Sequence, residues 1–176
     1  MKTIYLAGFD VFRSDSLAHG EWLKLQCRRH GFEGLYPHDN QAPEGLPARA
    51  LAQWIYEANT AMIRQADAVM ANLNPFRGAE PDSGTAFEVG YAIALGKPVW
   101  AYVDHADPLV RRLAVARADD PPRHVDAQGY TVEDFGLSLN LMLACSVRIV
   151  PGDVPQCLAE MALGLGSERD AAGLGV

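Results

Sequence analysis

Short apolar runs alternate with stretches of helical periodicity through the first hundred residues, and that alternation constrains the fold of this chain more than any other feature. Thr3-Ile4-Tyr5-Leu6-Ala7-Gly8 marks a first strand, placed at residues 2 to 7. It ends in glycine, as a buried parallel strand does when it delivers its end to a site. Gly34-Leu35-Tyr36, residues 67 to 73 and residues 99 to 103 read as the second, third and fourth strands. Ser14 and Asp15 can cap a first helix with apolar positions Leu17, Trp22, Leu25 and Cys27, stopped at His30-Gly31. A second helix, 48 to 65, carries Leu51, Trp54, Ile55, Ala58, Met62 and Ile63 at helical spacing. A third, 84 to 95, ends at Gly96-Lys97-Pro98. Strands alternating with helices imply right-handed crossovers and a parallel sheet covered on both faces. The predicted fold is therefore α/β and doubly wound, a Rossmann or flavodoxin-like sandwich with a central, mostly parallel sheet of about five strands.

The rest of the chain is less regular. Residues 104 to 134 show no clear period, and Asp119-Asp120-Pro121-Pro122 marks a surface loop. An apolar helix is expected over 137 to 146, a last strand over 147 to 150 and a closing helix over 154 to 165. With 176 residues there is room for one domain, placed at 1 to 165, followed by a frayed tail at 166 to 176.

Composition narrows the function. Fifteen Lys and Arg against 22 Asp and Glu give a net charge of −7, and no basic cluster offers a footprint for a nucleic-acid polymer or an anionic membrane. Small neutral substrates are favoured. No apolar run approaches the roughly eighteen residues of a membrane span, and the first seven residues are too short for a secretory signal, so a cytoplasmic location is expected. Cys27, Cys145 and Cys157 are odd in number, widely spaced and set in apolar helical patterns, and read as core thiols. The five histidines have no metal-type spacing. Gly164 and Gly166 do not complete a dinucleotide fingerprint.

In an open parallel sheet the ligand sits beyond the carboxyl ends of the strands. The loops there hold Gly8, Phe9 and Asp10, then His38, Asp39, Asn40 and Gln41, then Asp82 and Ser83. Glu88 stands out among the residues that follow. Its helix reads Gly84-Thr85-Ala86-Phe87-Glu88-Val89-Gly90-Tyr91-Ala92 with no other charge, which predicts a helix buried nearly all round. No Lys or Arg lies three or four positions away to pair with the carboxylate, and Glu88 is one turn too deep to serve a capping box. It is either a functional acid on the face of Gly84 and Tyr91, or a glutamate at a crevice rim satisfied by tyrosine hydroxyls. Asp82 can cap the helix, a role compatible with ligand binding. Tyr5, near the end of strand one, can be an ordinary strand residue or can reach the acid with its hydroxyl.

The pieces quoted, together with Tyr36-Pro37-His38-Asp39-Asn40-Gln41, Pro75-Phe76-Arg77-Gly78-Ala79-Glu80-Pro81-Asp82-Ser83 and Leu139-Asn140-Leu141-Met142, resemble the nucleoside 2-deoxyribosyltransferase family from about residue 2 to residue 146. The resemblance implies transfer of a 2-deoxyribosyl group between nucleobases, an activity of nucleotide salvage, with 2′-deoxyribonucleosides and free nucleobases as partners and no cofactor. It implies that Glu88 is the nucleophile, that Tyr5 contacts it, and that Asp82 binds the sugar 5′-hydroxyl. Asn140 would reach the same hydroxyl from a neighbouring subunit, with Met142 in the shared wall, so a homo-oligomer of at least two chains is implied. Gly8, Asp39 and Asn59 complete the expected substrate contacts. Asn59 is a departure, because the better-known bacterial enzymes carry an aspartate at that position, and an amide cannot donate a proton as an acid does. Asp39 or water would have to protonate the leaving base. Two other readings remain open: hydrolysis of 2′-deoxynucleoside 5′-monophosphates, disfavoured by a carboxylate at Asp82 where phosphate would sit, and a binding module without chemistry.

Overall fold

The computed structural model describes residues 1–119 and 121–172. Its elements in chain order are β1 (Lys2–Ala7), α1 (Ser16–Arg29), β2 (Phe32–Leu35), α2 (Ala48–Gln65), β3 (Ala68–Asn72), α3 (Ser83–Ala94), β4 (Val99–Val103), α4 (Leu109–Leu113), β5 (Ala116–Asp119), β6 (Pro122–Val125), α5 (Leu141–Ala144), β7 (Arg148–Pro151) and α6 (Val154–Ala172). Five strands make one parallel sheet in the order β2-β1-β3-β4-β7. The chain leaves β1 to one side for β2 and returns on the other side for β3, so the strand order reverses between β1 and β3 and a crevice opens beyond their carboxyl ends. The doubly wound α/β fold expected from the sequence is the one observed.

Period two along each central strand splits the core in two. Ile4 and Leu6 pack with α1 and α6 through Leu23, Cys27, Leu158 and Met161. Tyr5 and Ala7 face the other way, toward Met62 and Ile63 of α2 and Val89 and Ala92 of α3. Strand alternation therefore puts Tyr5 on the same side of the sheet as Glu88.

Several expectations change. The second strand begins earlier than the run 34 to 36, because Lys2 pairs with Phe32 and Tyr5 with Leu35, which leaves Tyr36 to open a 3-10 turn over Pro37–Asp39. On α1 the buried stripe is Gly20, Leu23 and Cys27, whereas Leu17, Trp22 and Leu25 face outward. The helix α3 is not buried all round. Thr85, Val89 and Ala92 form its inner face, and Phe87 and Leu95 are about half exposed. The helix expected over 137 to 146 shrinks to α5. The carbonyl of Leu137 accepts from Leu109 N at 2.7 Å and that of Ser138 from Arg112 at 2.6 Å, so these groups serve other segments. Asn140 then caps the short helix through Met142 N at 3.0 Å. Cys145 at its end is exposed, not a core thiol, while Cys27 and Cys157 are buried and their thiols are pushed up to about 12 by that burial. The irregular region contains an antiparallel hairpin of β5 and β6. The closing helix, expected to stop at 165, runs to Ala172; the end of the expected frayed tail, 173–176, lies outside the described residues.

Candidate active site

Beyond the carboxyl ends of β1 and β3 lies a cavity of about 560 Å³, a size ordinary for a small-molecule site. Each wall follows from local structure. The chain leaves β1 at Gly8, where a Cβ would come within 2.8 Å of Asp10 Oδ2 and 2.9 Å of Asn72 Cβ, so only a glycine permits the close turn into Phe9–Phe12. Buried Asp10 holds that turn to the sheet by accepting from Asn72 Nδ2 at 2.9 Å. Val11 and Phe12 then face the cavity. Phe9 and Phe12 stack on Phe76 at 4.9 and 5.3 Å, and Arg77 lies over Phe76 at 4.6 Å, which ties this turn to the loop before α3.

Glu88 projects from α3 into the cavity wall, one turn past Gly84. The Tyr5 hydroxyl donates to its Oε1 at 2.6 Å. Burial pushes the Glu88 carboxyl up to about 7, the Tyr5 hydroxyl pulls it down, and the nearby charge of Asp82 adds to the rise. Burial also raises Tyr5, with the Glu88 charge second, so its hydroxyl keeps its proton and remains a donor. Asp82 caps α3: its Oδ2 accepts from Thr85 N at 2.9 Å and Thr85 Oγ1 at 3.0 Å. Its other oxygen is left for a ligand in the cavity that Asp82 lines. The arrangement offers an anion held in place by one neutral donor, next to a second carboxylate, facing a largely apolar chamber. Such a site suits a reacting centre that becomes cationic.

Of the residues expected at the site, Gly8, Asn59, Asp82 and Glu88 line this cavity and Tyr5 stands behind Glu88. Asp39 does not line it. Its carboxylate accepts from Lys24 Nζ at 2.6 Å and from Tyr36 N at 2.9 Å, which turns it toward α1. Asn140 and Met142 lie on the opposite flank of α3, in a second groove with Ala86, Gly90 and Ile93, and Met142 is largely exposed. Asn140 Nδ2 donates to Glu133 at 2.7 Å.

The sequence hid other wall residues. Leu51, Trp54 and Ile55 recur at helical spacing with nothing to mark them as site residues, yet they line the cavity. The core side of α2 is carried further along, by Met62 and Ile63. His38 was visible only as the one histidine in a site loop, and it too lines the cavity. Among the described residues no group of three or more His, Cys, Asp or Glu is placed to hold a metal ion. No helix among them is long and apolar enough to cross a membrane.

The chain resembles known proteins in both sequence and fold. The sequence pattern described as Nucleoside 2-deoxyribosyltransferase matches residues 4–142. A structure of a 2-desoxiribosyltransferase from Leishmania mexicana superposes with a TM-score of 0.75 at 34% identity, covering 93% of this chain and 98% of that one. An uncharacterized protein of Schizosaccharomyces pombe is 36% identical over 167 residues, 86% of this chain and 79% of its own length. A 5-hydroxymethyl-dUMP N-hydrolase of Mus musculus is 40% identical over 57 residues, 32% of this chain and 30% of its own length. With the pattern covering most of the chain and the fold agreeing over nearly all of it, this protein belongs to the nucleoside 2-deoxyribosyltransferase family of enzymes.

Proposed function

We propose that this chain transfers the 2-deoxyribosyl group between nucleobases through a covalent glycosyl-enzyme on Glu88. The observation that carries the reading is the Glu88 carboxylate, oriented by Tyr5 at 2.6 Å and set in the wall of a cavity large enough for a nucleoside. A Glu88 oxygen attacks C1′ as the C1′–N bond breaks, and the electron pair leaves with the base. The transition state resembles an oxocarbenium ion, which a nearby carboxylate stabilises and then traps. A second base attacks C1′ from the vacated face and releases Glu88, so two inversions return the original configuration. Water in place of the second base gives slow hydrolysis. Bond making and breaking at C1′ by this route calls on no cofactor.

Asp82, with one oxygen free in the cavity, is the proposed partner of the sugar 5′-hydroxyl. Asn59 is the proposed contact to the base edge. Asn140 and Met142 would act on the site of a second copy, because in their own chain they open on the far flank of α3. The exposed Met142 in that groove supports such pairing.

A second reading, hydrolysis of 2′-deoxynucleoside 5′-monophosphates, draws support from the mouse N-hydrolase relative and from Arg77, exposed beside Phe12 at 5.2 Å on the cavity rim. Asp82 weighs against it, since a carboxylate beside a phosphate dianion in a partly dry site costs several kcal/mol. Incubation with deoxyinosine and adenine separates the readings. Transfer yields deoxyadenosine and hypoxanthine, and only slow deoxyribose release without acceptor. A protein that releases sugar only from the monophosphate is a hydrolase, and one that binds without cleaving is a silent module.

A further inference from the structure

Glu88, Asp82 and Tyr5 leave one step of the reaction without an agent, the protonation of the departing base. A nucleobase that takes the electron pair of the C1′–N bond leaves as a neutral molecule only if a ring nitrogen gains a proton. Tyr5 is committed to Glu88, and Glu88 forms the new bond. Asn59 has no acidic proton. Asp39 is turned away and ion-paired with Lys24 at 2.6 Å.

Each wall of the cavity can be searched for an alternative. The helix α2 presents no ionisable side chain to it, and the turn after β1 presents Val11 and Phe12 while Asp10 turns away to Asn72. The helix α3 presents Asp82, which caps the helix, and Glu88, which forms the new bond to C1′. That leaves His38, on the 3-10 turn after β2. Its Nε2 lies 3.3 Å from the carbonyl oxygen of Val11. A carbonyl only accepts, so Nε2 carries the hydrogen there and Nδ1 is the nitrogen that gains and loses a proton. The ring is steadied edge-on against Tyr36, centroids 5.6 Å apart, and Nδ1 has no hydrogen-bond partner among the described residues.

We propose, building on the glycosyl-transfer reading, that His38 is the acid that protonates the departing nucleobase and the base that deprotonates the incoming one. In the forward step the Nδ1 proton passes to a ring nitrogen such as N7 of a purine. The C1′–N9 pair stays on the base, Glu88 bonds to C1′, and His38 is left neutral. In the second step the incoming base, as its N7–H form, gives up that proton to Nδ1 while its N9 lone pair bonds to C1′ and the bond to Glu88 breaks. Protons and electrons balance over the cycle, and no other reactant is required.

A substrate whose base already carries a fixed positive charge tests this directly. The nucleoside 7-methyl-2′-deoxyguanosine is cationic at its imidazole portion and needs no proton to leave, whereas deoxyinosine does. His38→Gln and His38→Phe should each lower kcat/KM for deoxyinosine by about 100-fold or more, the range of general-acid effects, and for the methylated nucleoside by less than about 5-fold. Circular dichroism of both variants checks that they fold. Equal losses on the two substrates would mean that His38 only shapes the wall, and no loss on either would mean that it is idle; both outcomes overturn the proposal. Wild-type protein that cleaves only the methylated nucleoside overturns it too, because no acid would then be operating. Wild-type protein that cleaves neither removes the glycosyl-transfer reading, and this assignment with it.

Discussion

Replacing Tyr5 with phenylalanine removes one oxygen and keeps the ring that fills the core beneath the site. The lost bond is short, 2.6 Å, and it joins a neutral donor to an anion. Hydrogen bonds to charged groups contribute about 1.5 to 3 kcal/mol, and 1.36 kcal/mol corresponds to one pKa unit, so the carboxyl should rise by roughly one to two units. The direction follows from the hydroxyl's present effect, which is to lower Glu88 against the pull of burial. In the wild type, with Glu88 at about 7, the nucleophilic anion grows in as pH rises through neutrality. In Tyr5→Phe that limb of the kcat/KM profile, read on 7-methyl-2′-deoxyguanosine, whose departure needs no proton from His38, should shift to about pH 8 to 9, with a loss of roughly 5- to 50-fold at neutral pH that narrows as pH rises. Cleavage of that nucleoside, followed across pH by chromatography against an enzyme-free control, measures it. A limb that stays where it is, or a loss of equal size at every pH, would refute the claim that the hydroxyl acts by holding the anion. Stability changes in the same window. The folded chain keeps a proton on Glu88 that the unfolded chain, with an ordinary value of 4.5, releases, so this stabilising contribution is complete below that value and is lost as pH rises to about 7.

Asp82 separates into two roles that two substitutions read apart. Asp82→Asn keeps a side-chain cap for Thr85 N and should leave the melting temperature nearly unchanged, whereas Asp82→Ala should cost about 1 kcal/mol, a fall of roughly 2 to 4 °C by calorimetry. Both remove a charge that raises Glu88, so in both the acid limb of the profile should move down, and a limb that moves up would contradict the electrostatics. The far-flank position of Asn140 makes a prediction about hybrids: mixing Glu88→Ala with Asn140→Ala, after dissociation and reassociation, should restore part of the activity that each lacks. A mixture no more active than its parts would count against sites shared between subunits.

The sequence made the strands and Glu88 legible because both follow rules of position. Central parallel strands are buried on two faces and read as continuous apolar runs, and an unpaired acid in an otherwise uncharged helix has few structural explanations. Trp54 and Leu51 do not stand out as wall residues, for a physical reason. A helix stripe lining an apolar cavity has the same spacing as one lining a core, and only the tertiary arrangement tells whether the space opposite is filled. The helix over 137 to 146 failed differently. Its apolar residues suit a helix, but the carbonyls of Leu137 and Ser138 are claimed by Leu109 and Arg112, and such long-range competition leaves no local trace. Asp39 and His38 are neighbours in the same polar loop, so spacing could not choose between them. The choice rests on Lys24, which lies fifteen positions away on another element and draws Asp39 out of the cavity.

The apolar wall also bears on how the nucleophile works. An apolar chamber disfavours the Glu88 anion while the site is empty, which is why burial ranks first among the causes of its raised pKa. The same chamber strengthens the attraction between that anion and positive charge as it develops on a furanose ring, because little water competes. Asp82 has a comparable double effect: its charge raises Glu88 in the empty site, and in the proposed reaction it would add a second negative field at an oxocarbenium centre. A substrate 5′-hydroxyl donating to Asp82 would temper the first effect by dispersing that charge, so binding of the sugar would itself favour ionisation of the nucleophile. Substrate and nucleophile are then coupled in the direction catalysis requires, with the anion most available when there is a ring for it to attack.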